Sequence, residues 1–429
     1  MKGKFLSVTL VVLALSLVVA ACAPPTPEKV EVTKIVEVTK EVVKEVVVTP
    51  TPPPAAKPIK IGVPAILTGA DTYVHGEMVV DAAQLAAEEI NAAGGVLGRP
   101  IEIVVMDDAG DPKQAVAVAH AYCDNPEIVA VYGHCYSGCS IPAEPVYNEC
   151  RLAQIVHGTN PRITELGFDN VFQNTPTDLV TGQAAADHAH EKLGIKSVAV
   201  IHNKSMWGEA VATVFRERCK ELGIEITSFQ GVDPEDVDFT PVLTKIKGEN
   251  PDAVYFAGYV EQGLMRKQMV ALGMDQYWLA AEATSSEYID TTGEAGIGTI
   301  SATAAPPFDY RPEIKRWAEA FEKRWGKPPE SWSPYYYDAI YQIADAIERA
   351  GSADREAIIK ALRKTDIPSL VYPKGIQWDS HGRVVNPVTF VYELKPNRKY
   401  ELVYLWEGTP PYATMTEEEY KTFIEAIMK

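Results

Sequence analysis

Five short stretches of this 429-residue chain carry residue types that could hold a small charged molecule. Gly133-His134-Cys135-Tyr136-Ser137-Gly138-Cys139-Ser140-Ile141-Pro142 follows the apolar run Ile128 to Tyr132. Gly138 permits close backbone approach, and Pro142 suits a first helical turn. Ser137 then sits where a hydroxyl and unsatisfied N–H groups can meet an anion, although a plain helix cap would use the same residue. A second run, Ala153 to Val156, leads into His157-Gly158-Thr159-Asn160-Pro161. Gly158 offers a carbonyl there, and Thr159 a hydroxyl and an N–H; alone, the stretch is also an ordinary turn. Trp207-Gly208 comes shortly after Ser197 to Ile201, Gly258-Tyr259 after Ala253 to Phe256, and Glu282 after Tyr277 to Ala280. A carboxylate ending an apolar strand is costly to bury unless it meets a cation. An anion site, one acid and two aromatics describe a socket for a zwitterion with an apolar tail, which is an α-amino acid.

Those stretches share a position: each follows a strand-like run. Pro58 to Pro64 and Ile101 to Met106 are further strand signals, and helical patterns over Met78–Ala92, Lys113–Tyr122, Gly208–Leu222 and Gln262–Leu272 separate many of them. Alternation of this kind implies βαβ units and parallel sheets, whose ligands lie beyond the carboxyl ends of the strands. The expected fold class is α/β, with two doubly wound parallel-sheet lobes joined by a multi-strand hinge. Helical patterns at Pro312–Trp325, Tyr335–Ala350 and Arg355–Lys364 pack most simply back on the first lobe. Lobe 1 is expected to be residues 58–176 with 307–372, and lobe 2 residues 177–306 with 373–429.

The N-terminus sets the compartment. Lys2 and Lys4 precede an apolar run from Val8 to Ala21, which is short for a bilayer span and suits a secretory signal over residues 1–21. Cys22 after Val19-Ala20-Ala21 resembles the lipobox of bacterial lipoproteins, whose thiol carries acyl chains that hold the protein on the membrane. Residues 22–57, a valine, lysine and glutamate repeat followed by Thr49-Pro50-Thr51-Pro52-Pro53-Pro54, read as a solvated tether on the extracytoplasmic face. Loss of Lys2 and Lys4 with the signal takes the formal charge from −18 to −20. Such acidity argues against nucleic acid as a partner. With Cys22 set aside, Cys123, Cys135, Cys139, Cys150 and Cys219 remain, an odd number whose pairing spacing does not decide. Cys123 and Cys150 end successive helices and form one candidate pair.

Several stretches resemble the leucine/isoleucine/valine-binding protein family, the periplasmic binding components of branched-chain amino acid ABC transporters. They are Asp107 to Ala115, Gly133 to Ser137, Thr159-Asn160-Pro161, Tyr335 to Ala339 and Trp378 to Gly382, within a similarity over residues 58–405. The resemblance implies a type I periplasmic binding fold that closes on one amino acid, branched-chain or otherwise apolar. It places Ser137 and Thr159 on the ligand carboxylate, the Gly158 carbonyl and Glu282 on the ammonium, and Trp207 and Tyr259 around the tail. His75 stands where an aromatic residue usually lies over the ligand, and Trp207 where the family has tyrosine. Gly110 and Tyr136 occupy positions that carry a disulfide in some members. Implied partners are a membrane permease and ATPase subunits; this chain has no G-x-x-x-x-G-K-[ST] loop of its own.

Other readings are weaker. Relatives in the same fold bind urea, short amides or aromatic acids, or act as sensors, but a ligand without a cation has no use for Glu282. A Cys/His hydrolase built on His134 and Cys135 would need chain neighbours to align for proton transfer. A metal held by His134, Cys135 and Cys139 matches no familiar zinc spacing. No enzyme activity, cofactor or metal is expected.

Overall fold

The computed structural model describes residues 56–69, 72–407, 410–413 and 415–427. The expected signal, Cys22 and the tether up to residue 55 lie outside the described residues. Five strands, β1 (Ile59–Ala65), β2 (Ile101–Asp107), β3 (Ile128–Tyr132), β4 (Ala153–Val156) and β5 (Val171–Gln173), form an all-parallel sheet in the order β2-β1-β3-β4-β5. Every residue of β3 and β4 is buried, and β1 is buried except at Lys60. Strands covered on both faces have no polar side to show, hence their largely apolar runs, broken only by Lys60 in β1 and by Gln154 in β4, whose amide donates to the Gly133 carbonyl. Helices α1 (Met78–Ala92), α2 (Pro112–Asp124) and α3 (Ser137–Glu149) connect them.

The second sheet repeats that order. After α4 (Asp178–Glu191), strands β6 (Ser197–His202), β7 (Glu225–Gly231), β8 (Ala253–Ala257), β9 (Tyr277–Ala281) and β10 (Ile300–Thr303) alternate with α5 (Met206–Glu221), α6 (Thr240–Glu249), α7 (Glu261–Ala271) and α8 (Ser286–Thr292). They run parallel in the order β7-β6-β8-β9-β10. The switch in travel falls between β1 and β3 in one sheet and between β6 and β8 in the other. There the crossover helices leave the sheet on opposite faces, which opens a crevice at the carboxyl edge.

The chain then changes sheets. Helices α9 (Pro312–Trp325), α10 (Ser333–Ala350) and α11 (Arg355–Leu362) follow, and α10 packs along α1 through fully buried Tyr336, Ala339, Ile340 and Ile343. Gly326 and Gly351 end α9 and α10 at φ 71° and 60°, left-handed values that suit glycine. A small antiparallel pair, β11 (Asp366–Ile367) with β12 (Ile376–Gln377), comes next. Strand β13 (Thr389–Leu394) then joins the second sheet antiparallel to β10, β14 (Tyr400–Trp406) pairs antiparallel to β13 at the sheet edge, and α12 (Glu417–Ile427) closes the described chain. The sequence boundary at 373 differs from this strand membership. Ile376, Trp378, Val384 and Val388 bury their side chains in the core built on β1, α1 and α10, and the chain rejoins the second sheet only at Thr389.

One local expectation needs correction, and one candidate pairing is met. Pro142 does not open a helix: α3 starts at Ser137 and carries Pro142 and Pro145 inside it, with Tyr136 as its N-cap. Each proline removes one backbone donor, and the burial of Ile141, Ala143 and Tyr147 along the same helix offsets the loss. The open cysteine pairing is resolved as a Cys123–Cys150 disulfide joining the ends of α2 and α3, while Cys135, Cys139 and Cys219 are buried free thiols.

Candidate functional site

All seven sequence-derived positions, His75, Ser137, Gly158, Thr159, Trp207, Tyr259 and Glu282, line one cleft of about 890 Å3, a volume that includes space open to solvent. Each arrives from the carboxyl end of a strand. His75 sits in a turn of π-helix, Tyr73–Glu77, between β1 and α1, and Ser137 is the first residue of α3 after β3. Gly158 and Thr159 follow β4, Trp207 and Tyr259 follow β6 and β8, and Glu282 follows β9.

The Ser137 hydroxyl is 3.2 Å from the Asn160 N–H that donates to it, which ties the loop after β4 to the start of α3. Glycine at 158 is a matter of space. A Cβ there would lie 2.9 Å from Ser137 Oγ and 3.1 Å from Ser137 Cα. Its carbonyl is more engaged than the sequence suggests, accepting from Gln173 Nε2 at 2.7 Å and from the Thr175 hydroxyl at 3.4 Å. Two donors already saturate the usual lone-pair directions, so any role on an ammonium would need one of them to yield.

Three aromatic rings make a ladder along the cleft. Tyr136 stacks on Tyr259 at 4.8 Å, and Tyr259 stacks on Trp207 at 5.0 Å. Trp207 is fixed by its indole N–H, which donates to Asp178 Oδ1 at 3.0 Å. Gly208 follows it because a Cβ would strike Asn203 Oδ1 at 2.3 Å and the Ala257 carbonyl at 2.9 Å. Tyr136 also covers the backbone of Gly110, its ring 3.1 Å from where a Cβ would be, so a ring contact joins the two loops where some relatives are expected to carry a disulfide.

Glu282 adopts φ 59°, unusual for a residue with a side chain. The Thr303 hydroxyl donates to its Oε2 at 2.5 Å, whereas Oε1 is buried and has no hydrogen-bond partner among the described residues. Burial raises its carboxyl to about 8, and the nearby Asp178 charge adds to the rise. Asp178 itself is lifted to about 7, again by burial. Burial therefore leaves both acids poised to give up a proton when a cation arrives to stabilise the ionised form.

His75 lies with its ring 5.4 Å from Tyr136 and 5.7 Å from the His157 ring. His157 is enclosed by Trp332, Tyr335 and Tyr336, and burial holds its imidazole well below the ordinary histidine range. Asp178, Gln173 and Thr303 were not singled out from the sequence, and Asn160 entered only as part of the Thr159-Asn160-Pro161 stretch, without a role. Each is an ordinary polar residue until the fold brings it behind a site residue; Asn160 also bonds the Met206 carbonyl at 2.9 Å, joining the loop after β4 to α5. His134 is not a ligand-like group: it is buried between Asp108 Oδ2 at 2.6 Å and the Tyr147 hydroxyl at 3.1 Å. Among the described residues no group of three or more His, Cys, Asp or Glu is placed to hold a metal ion.

The family model described as periplasmic binding protein matches residues 58–398. The chain belongs to that family. This binding protein is 34% identical over 343 residues to the leucine-, isoleucine-, valine-, threonine-, and alanine-binding protein of Pseudomonas aeruginosa, covering 79% of this chain and 90% of the other. It is 30% identical over 350 residues to a Leu/Ile/Val-binding protein homolog of Brucella abortus, covering 80% and 92%. In structure, a leucine binding protein of Thermotoga maritima is similar with a TM-score of 0.75 at 29% identity, over 83% of this chain and 99% of that one. The chain is therefore of the solute-binding type, not an enzyme, and its family works outside the cytoplasm. Among its described residues no helix is long and apolar enough to cross a membrane.

Proposed function

We propose that the protein is a lipid-anchored receptor that closes two lobes on one free α-amino acid and hands it to a membrane permease driven by separate ATPase subunits. The lobes are those expected from the sequence, residues 58–176 with 307–372 and 177–306 with 373–429, except that the stretch up to Val388 packs with the first lobe and the chain returns to the second at β13. Ser137, Thr159 and the N–H groups at the start of α3 hold the carboxylate. Glu282 meets the ammonium, Trp207, Tyr259 and His75 surround the side chain, and the Gly158 carbonyl stands by as a further acceptor. Relatives named for leucine, isoleucine and valine support an apolar or branched side chain.

One observation carries the reading: Glu282 Oε1 is buried and lacks a hydrogen-bond partner among the described residues, in the same cleft as the Ser137 and Thr159 hydroxyls. A buried carboxylate oxygen without a donor is expensive unless a ligand supplies one. Closure is favoured only by contacts made in the closed form, so a ligand that bridges both loops shifts the lobes together.

Calorimetry against the twenty amino acids, urea and simple amides tests this. An α-amino acid is expected to bind at about micromolar or tighter, and only amino acids should do so. With the Glu282 carboxyl at about 8 in the protein alone, an ammonium partner pulls it down and drives off its proton. Titrations at pH 7 in two buffers of different ionisation enthalpy should therefore report release of most of one proton. Binding of urea or an aromatic acid in place of an amino acid, or no proton release, overturns the reading.

The anchor rests on Cys22. Cys22→Ser should move the protein from the membrane fraction to the soluble extracytoplasmic fraction and abolish labelling by radioactive palmitate. Continued membrane association without label would mean an uncleaved signal instead.

A further inference from the structure

Among the residues lining the cleft, two buried oxygens have no hydrogen-bond partner among the described residues: Glu282 Oε1 and Gln262 Oε1. The amino-acid reading assigns an ammonium to the first. Nothing in that reading, or in the family positions mapped from the sequence, uses the second.

Gln262 is the second residue of α7 and is 5% exposed. It sits where α7 meets α8 closely, since a Cβ on the adjacent Gly263 would lie 2.8 Å from Thr291 Cγ2. Thr291 and Glu287, both of α8, line the cleft with it. This part of the wall is therefore polar, whereas Val74 and Trp332 contribute an apolar part.

We propose that Gln262 reads the ligand's side chain and favours a polar terminus, hydroxyl or amide, over an apolar terminus of the same shape. A hydrocarbon pressed against the amide keeps it dry and unpaired, and a buried polar group left in that state loses the bond it made with water. A hydroxyl or amide on the ligand restores that bond. Turning the Gln262 amide by half a rotation presents its NH2 in place of its carbonyl, so the same side chain serves an acceptor or a donor. Discrimination of this kind is strong, because a site built to hydrogen-bond a polar group rejects the analogue that lacks it. The inference rests on the amino-acid reading but departs from its apolar side chain: among side chains of branched-chain size, the polar members bind tighter.

Three isosteric pairs test it by calorimetry on the purified protein: threonine against valine, asparagine against leucine, and glutamine against methionine. The polar member is expected to bind at least tenfold tighter in one or more pairs. Gln262→Leu and Gln262→Met should each bring that ratio to within about twofold while the apolar member binds no more weakly, which also shows that the variants fold. Equal affinities within all three pairs, or a preference that survives both substitutions, overturns the inference and leaves the amino-acid reading standing. Failure of every amino acid to bind overturns both.

Discussion

Glu282→Gln should weaken amino-acid binding at least a hundredfold, equivalent to about 2.7 kcal/mol. The substitution keeps the shape of the side chain and can keep the bond from Thr303, so the expected loss isolates one thing, the negative charge. The neutral amide offers an ammonium either a weaker acceptor or, turned round, two donors that repel it. An analogue lacking the amine should bind the variant at least as well as it binds the wild type. The same change should have an opposite effect on the protein without ligand. In the unfolded chain a glutamate titrates at about 4.3, and burial lifts this one to about 8. The raised value means the folded state holds the proton more tightly. The associated stability is full below about pH 4 and is lost as pH rises through about 8. At pH 9 the ligand-free wild type must keep an ionised acid in a buried place, and the neutral amide of the variant carries no such burden. The melting temperature of the variant relative to wild type should thus rise between pH 5 and pH 9. Unchanged affinity would point to a ligand without a cation, and an equal Tm deficit at both pH values would make Glu282 a structural residue.

The difference between what the sequence revealed and what it hid follows from how each residue acts. Strands β3, β8 and β9 announce themselves because burial on both faces leaves them almost wholly apolar, and β4 does so in spite of Gln154. Strand β7 does not, since Glu225, Thr227, Ser228 and Gln230 break the run at the edge of its sheet. Helix α4 carries Asp178, Thr181, Asp187 and His188 among its buried residues, so it lacks a clean apolar stripe. The site residues were legible because strand ends are fixed points: once the alternation is seen, the loop after each parallel strand must face the cleft. Their supports were not legible. Asp178 lies 29 residues from the Trp207 indole it holds, and Thr303 is 21 residues from Glu282; only the fold makes them neighbours. Gln262 is hidden for a different reason, since a glutamine in a helical first turn is ordinary until its carbonyl is found buried and unmatched.

Removing the anion site should have the largest effect of all: Ser137→Ala with Thr159→Ala is expected to leave no amino-acid binding that calorimetry can detect at millimolar ligand. Both residues are nearly buried, at 2% and 7% exposure, so water cannot easily replace the lost hydroxyls once the cleft closes. A carboxylate enclosed without its donors keeps only the backbone N–H groups at the start of α3, and the uncompensated desolvation exceeds what an affinity near micromolar can absorb. The protein itself should hardly notice. Ser137 Oγ serves the Asn160 N–H and the Thr159 hydroxyl bonds the Asp178 carboxyl, and losing both costs about 1–3 kcal/mol. In a chain of this size such a cost moves Tm by only a few degrees. The contrast with Glu282→Gln then separates the two ends of the ligand. Amine-free acids should still bind the Glu282 variant but not the Ser137/Thr159 variant, while carboxamide analogues that keep the amine should be hurt less by the double substitution than the free acids are. If the free acid and its carboxamide lose affinity equally, the two hydroxyls do not meet the carboxylate, and the ligand lies in the cleft the other way round.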